Sequence, residues 1–218
     1  MQFPYAHKGV KKIFTAEILN IIVVIFLICS AVVALVSAAM PASSDEEGLA
    51  AAALVTLLSL ISTLALAAVA FIIYLVGIIQ AKRDERYFYN ALVFVILPLI
   101  ASIFAAIFSQ NKYVQDISDM VRNISEVIAM VMIISGIREL AAKLDRNDMV
   151  NSANIAFRII VGVYGMLIIA RIIEFVFDFW PNMVSLAGII SLTASLINVF
   201  AHFYYLVYLG RAVKMLKA

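Results

Sequence analysis

Six stretches of this chain are apolar for about the length of a bilayer crossing, and little is left between them. A helix needs about 20 mostly apolar residues to cross the hydrocarbon core. The stretches run 13–39, 49–80, 87–108, 119–140, 153–177 and 183–209. The fourth is the weakest, because Arg122, Asn123 and Glu126 interrupt it. In lipid every backbone amide needs an internal partner, which leaves helices or a closed barrel. Barrel strands alternate apolar and polar residues over about ten positions, and no such pattern occurs. Composition agrees: the 218 residues are 65% hydrophobic and 14% charged, whereas soluble domains carry about 45–50% apolar and about 25% charged residues. The expected fold is an all-α integral membrane protein. Six transmembrane helices form three sequential helical hairpins in one bundle, with residues 1–218 as a single polytopic domain and no soluble domain.

Charge placement sets the expected orientation. Lys8, Lys11 and Lys12 precede the first stretch, and Lys82, Arg83 and Arg86 follow the second. Arg138, Lys143 and Arg146 follow the fourth, and Arg211, Lys214 and Lys217 follow the sixth, so twelve of the 16 basic residues lie on one side. The other side holds Lys112, with Arg122 at its margin, and Asp45, Glu46, Glu47, Asp116 and Asp178. The positive-inside rule then puts both termini in the cytoplasm, and a bacterial plasma membrane is the expected location. Trp180 and Tyr113 fall where outer aromatic anchors belong; Tyr87, Tyr89, Tyr204, Tyr205 and Tyr208 fall near the inner boundary. The start has a secretion signal's basic leader, with Ser37 and Ala39 spaced like a cleavage site. Its apolar run exceeds the roughly 7–15 residues of such signals, so a retained span is expected. The second stretch would reach about 48 Å as a helix against a core of about 30 Å. It must tilt or project.

The three expected returns to the cytoplasm end alike: Gly77 before Lys82, Gly136 before Arg138, and Gly210 before Arg211. Pro41 and Pro181 sit at matching outer turns. Repetition of this kind is common in transporter folds. The plainer reading is that glycine and lysine mark helix ends. In layout the chain resembles some small bacterial membrane families built of two-helix units, a likeness that assigns no residue and no function.

Ionisable groups at membrane depth usually face a bundle interior or an aqueous cavity. Arg122 and Glu126 share a face at i, i+4, as do Arg171, Glu174 and Asp178 at i, i+3 and i+7. Both groups fall in the outer parts of their stretches. They are read either as an outer vestibule for a proton, cation or cationic solute, or as helix-to-helix salt bridges and snorkelling side chains. Ser191, Ser195, Asn198 and His202 form one polar stripe at helical spacing. With Glu17 and Asn20 at similar depth, this stripe is read as an inner proton-handling cluster around a group that titrates near neutral pH, or as interhelical hydrogen bonding. Ser30, Ala34 and Ala38, and likewise Ser59, Thr63 and Ala67, form small-residue lines that permit close helix approach. Gly162 and Gly165 flatten part of the fifth stretch. Pro98 removes a backbone hydrogen bond in mid-span, where a static kink is expected.

One cysteine, Cys29, excludes an internal disulfide, and two histidines argue against a His-rich zinc centre. No metal and no cofactor are expected. No phosphate-loop, dinucleotide, zincin or nucleophile-elbow motif occurs, so no enzymatic activity is expected. An enzyme acting on lipid is a distant third reading. The net charge of +2 gives no reason to expect nucleic acid. The expected partner is the lipid bilayer, with a homo-oligomer or a membrane complex of unknown identity left open. Because the interior reads as mostly apolar, the expected role is a non-catalytic accessory, envelope or stress-related membrane protein. The alternative is a small transporter or channel-like protein for a proton, cation or small solute, using the outer acidic and basic cluster.

Overall fold

The computed structural model describes residues 2–39, 46–177 and 184–217, without the side chains of 34, 36–39, 46–53, 112, 171, 174–177, 184–192, 194–196 and 198. It contains six helices: α1 (Pro4–Ala39), α2 (Glu46–Ala81), α3 (Tyr87–Ile107), α4 (Lys112–Lys143), α5 (Asn147–Phe177) and α6 (Val184–Lys217). No strand occurs among the described residues. Over the described residues, α1 to α5 are long and apolar enough to cross a membrane. The helices overrun the apolar stretches, because a chain that has already formed helix gains one backbone bond for each residue it adds. Thus α4 reaches back to Lys112, and the polar connection expected at 109–118 contracts to a tight turn. Asn111 closes that turn, its Oδ1 accepting from the N–H groups of Tyr113 and Val114 at 3.1 and 3.4 Å. The next turn is equally short. Asp145 takes the left-handed conformation with φ 53°, which short polar side chains tolerate.

Each helix packs on its neighbours in sequence, and α1 also packs on α6, so the six close into a ring. Registration between α1 and α2 runs in opposite senses. Ala6 meets Asp84 just past α2, Gly9 meets Gly77 and Ala81, and Ser30 meets Ser59. Asp84 Oδ2 accepts the Ala6 N–H at 2.6 Å. That N–H lies in the first turn of α1, where backbone donors lack helical partners and a negative charge is favoured. Around the same end, Lys143 Nζ stands 2.6 Å from Glu85 Oε2 and ties α4 to the α2–α3 turn.

The apolar core sits at this end of the ring. Val10 and Ile13 of α1, Ile78 of α2, Phe88 of α3, Ile137 and Leu140 of α4, Ala156 of α5 and Leu209 of α6 are all buried in it. Toward the other end the apolar side chains of α1, α2 and α3 are broadly exposed, as lipid-facing residues would be. Gly77, Gly136 and Gly210 serve this core and do not terminate helices. None has positive φ, and each lies inside a continuing helix. A Cβ at Gly77 would fall 2.8 Å from the Gly9 carbonyl oxygen, and one at Gly136 would fall 2.9 Å from the Phe88 ring. At Gly210 the Phe14 ring stands 3.4 Å away.

The inner aromatic belt needs correcting too. Tyr87 and Tyr89 are exposed, but Tyr205 (0% exposed) and Tyr208 (2%) are buried in the core. They follow the buried face of α6 with Ala201, Leu209 and Ala212, and face the ring interior instead of lipid headgroups. Tyr113 is exposed at 69%; Trp180 and Pro181 lie outside the described residues.

Candidate functional site

Above the apolar core the ring encloses a cavity of about 250 Å³. Glu17 and Asn20 reach it from α1, Phe71 and Tyr74 from α2, and Phe94, Val95 and Pro98 from α3. Arg122, Glu126, Ala129 and Met130 line it from α4, and His202 from α6. On α4 these residues recur at i, i+4 and i+7 or i+8, which keeps them on one face. Exposure falls along that face: Arg122 and Glu126 are exposed, Ala129 and Met130 buried. The cavity therefore opens toward the start of α4 and closes against the core.

At its deep end His202 Nε2 lies 3.0 Å from Glu17 Oε2. Glu17 is 3% exposed, and a carboxylate so enclosed needs a partner to stay charged. Above it stands Glu126, whose Oε1 is 3.5 Å from the Tyr164 hydroxyl. That contact is long for a hydrogen bond, so most of the carboxylate's bonding capacity is left for water or a ligand. At the mouth Arg122 Nη2 pairs with Asp119 Oδ1 at 3.0 Å, both side chains more than half exposed.

The comparison with other proteins is short. No protein-family description, no characterised protein and no solved structure matches this chain.

The geometry joins what the sequence separates. Glu126 was assigned to an outer cluster and Glu17, Asn20 and His202 to an inner one, yet all four border one cavity. The reason is helix length. Starting the fourth stretch at 119 places Glu126 near an outer edge, whereas α4 runs from Lys112 to Lys143. At 1.5 Å per residue, Glu17 lies about 20 Å from the packed end of α1, His202 about 22 Å from that of α6 and Glu126 about 26 Å from that of α4.

Arg122 and Glu126 share the cavity face, and Arg122 pairs within its own helix. The side chains of Arg171, Glu174, Ser191, Ser195 and Asn198, and Asp178 altogether, lie outside the described residues. Ser30 and Ser59, from the two small-residue lines, meet hydroxyl to hydroxyl at 2.5 Å within the chain. Among the described residues, nothing lies within 4 Å of where a Cβ would be at Gly162 or Gly165.

Sequence reasoning missed Phe71, Tyr74, Phe94 and Tyr164 as site residues. Their signal is faint, since Phe71 and Tyr74 share a helical face but look like ordinary packing aromatics. Pro98 was noticed for its kink. It also has no N–H to give the Phe94 carbonyl, and both residues line the cavity. Among the described residues, no group of three or more His, Cys, Asp or Glu is arranged to hold a metal ion.

Proposed function

We propose that this chain is a small transporter-like protein of the bacterial plasma membrane, and that it binds a small cation in an outward-open vestibule. In this reading all six helices cross the bilayer as three hairpins, and both termini are cytoplasmic. The carrying observation is that Glu17, Glu126 and His202 border one cavity that reaches solvent. Arg122 is already matched by Asp119, so the two glutamates leave the cavity negative even when His202 is protonated. The aromatic rings of Phe71, Tyr74 and Phe94 add faces that attract a desolvated cation. The accessory role draws its support from an apolar interior, and the charged and polar side chains that border this cavity favour the transporter reading over it.

Thiol accessibility tests the reading. In a Cys29→Ser background, single cysteines are placed at 126, 202, 133 and 137, and cells are treated with a membrane-impermeant thiol reagent. Positions 126 and 202 should label, 133 and 137 should not, and tetramethylammonium should slow labelling at 126. Absence of labelling at both 126 and 202 overturns the vestibule and returns the accessory role.

A further inference from the structure

Between the vestibule and the packed end lie two tyrosines that the cavity does not include. Tyr205 and Tyr208 are buried; the Tyr208 hydroxyl has no hydrogen-bond partner among the described residues, and the Tyr205 hydroxyl has only the Tyr74 side chain beside it, outside good hydrogen-bond geometry. Buried hydroxyls almost always have a partner, whether protein or water. A core tyrosine without one is a phenylalanine carrying an unpaid polar atom, which packing alone does not favour. Their placement is ordered. His202, Tyr205 and Tyr208 succeed one another at three-residue steps on α6, and the His202 and Tyr205 rings meet edge to face at 6.2 Å. Tyr205 is the electrostatic neighbour of Glu17, Tyr74 and Tyr208, and Tyr208 is that of Arg138. Arg138 is exposed at the packed end of α4. Glu126 in turn neighbours Glu17 and His202. A line of exchangeable groups thus runs from the open vestibule, through the apolar core, to the opposite surface.

We infer that this line is a proton path, and that Tyr205 and Tyr208, bridged by water, carry protons across the part of the bundle that is closed to larger ions. The inference rests on the vestibule proposed above as its entrance. Each hydroxyl takes a proton on its oxygen from the group above and releases its own to the group below. Every O–H bond formed matches one broken, one proton enters as one leaves, and no electron is transferred. Glu126 and the Glu17–His202 pair collect protons at the entrance, and the exit is the water beside Arg138. Chains of such groups at membrane depth serve as proton relays in pumps and transporters.

The full chain is reconstituted into vesicles that enclose a pH-sensitive dye, and an inside-negative potassium diffusion potential is set with valinomycin. Vesicles holding the protein should acidify faster than protein-free ones. Tyr205→Phe and Tyr208→Phe should each slow proton entry about tenfold, the factor that one lost hydrogen bond makes in a rate. The double variant should be little slower than either, because the groups act in series. Tyr208→Phe loses an unpartnered hydroxyl and Tyr205→Phe one whose neighbour is the Tyr74 side chain, so both should fold like the parent, with labelling of a cysteine at 126 unchanged. Proton entry no faster than in protein-free vesicles overturns the path. So does entry unaffected in both variants, which makes the tyrosines packing residues. Failure of 126 to label overturns the vestibule and with it this entrance, whatever the flux.

Discussion

His202 on α6 and Glu17 on α1 meet at 3.0 Å across the seam that closes the helical ring. Glu17 is the more enclosed partner, its side chain 4% exposed against 26% for His202. Removing the imidazole strands a buried carboxylate, which in protein interiors costs about 3–5 kcal/mol. Removing the charge strands nothing, because the Gln amide can still hydrogen-bond the ring, and the loss should be about 1 kcal/mol. His202→Ala should therefore lower the thermal midpoint in detergent well below that of Glu17→Gln. The two changes together should cost less than their sum. Equal, small effects would mean that water, and not His202, satisfies Glu17.

The hydroxyl contact between Ser30 and Ser59 offers a test of the α1–α2 pairing. Their oxygens are 2.5 Å apart, which brings the two Cβ atoms close to disulfide range. With Cys29 replaced by Ser, the Ser30→Cys/Ser59→Cys variant should crosslink on mild oxidation and become inert to alkylation. Pairing Ser30→Cys with a cysteine at 55 should not give the crosslink, since that position lies one helical turn, about 6 Å, along α2 from Ser59. Crosslinking at both positions would indicate sliding helices instead of a fixed register.

Hydropathy exposed the helices because lipid demands long apolar runs, and the run lengths alone bounded the fold. It exposed depth poorly. Charged residues mark where a stretch leaves hydrocarbon, but α4 carries Arg122 and Glu126 well inside its length against a cavity, so starting the stretch at 119 sets both too far outward. The pairing of Glu17 with His202 was suggested by matched depth, because each is a costly group with few places to go. Tyr205 and Tyr208 were misplaced for the opposite reason. Tyrosine suits an interface as well as a core, and composition cannot show which way a ring points. Gly77 and Gly136 looked like helix terminators, and only the neighbouring chain atoms reveal them as contact points.

Asp84 caps α1 from the far side of α2. Its carboxylate accepts the Ala6 N–H at 2.6 Å, combining a cap with a favourable charge at a helix N-terminus. Loss of such a cap costs about 0.5–2 kcal/mol. Asp84→Ala should speed amide hydrogen exchange in the first turn of α1, while Asp84→Asn, which keeps an acceptor, should change it less. Exchange that is unaltered in Asp84→Ala would show the first turn to be held by packing alone.

Two glycines on different helices should respond in opposite directions to the same added methyl. At Gly9 a Cβ would fall 2.5 Å from the Gly77 carbonyl oxygen and 2.6 Å from the Ala81 nitrogen. Backbone atoms cannot swing aside as a flexible side chain can, so α1 and α2 must part. Overpacking of this kind costs about 1–3 kcal/mol, and Gly9→Ala should lower the thermal midpoint in detergent. Gly162 meets nothing within 4 Å among the described residues, so a methyl there displaces none of them. Alanine in a helix is favoured over glycine by about 0.5–1 kcal/mol, and Gly162→Ala should raise the midpoint. A fall at Gly162 instead would reveal that this open face of α5 is covered by a second copy of the chain, and the oligomeric state in mild detergent would then fall with it.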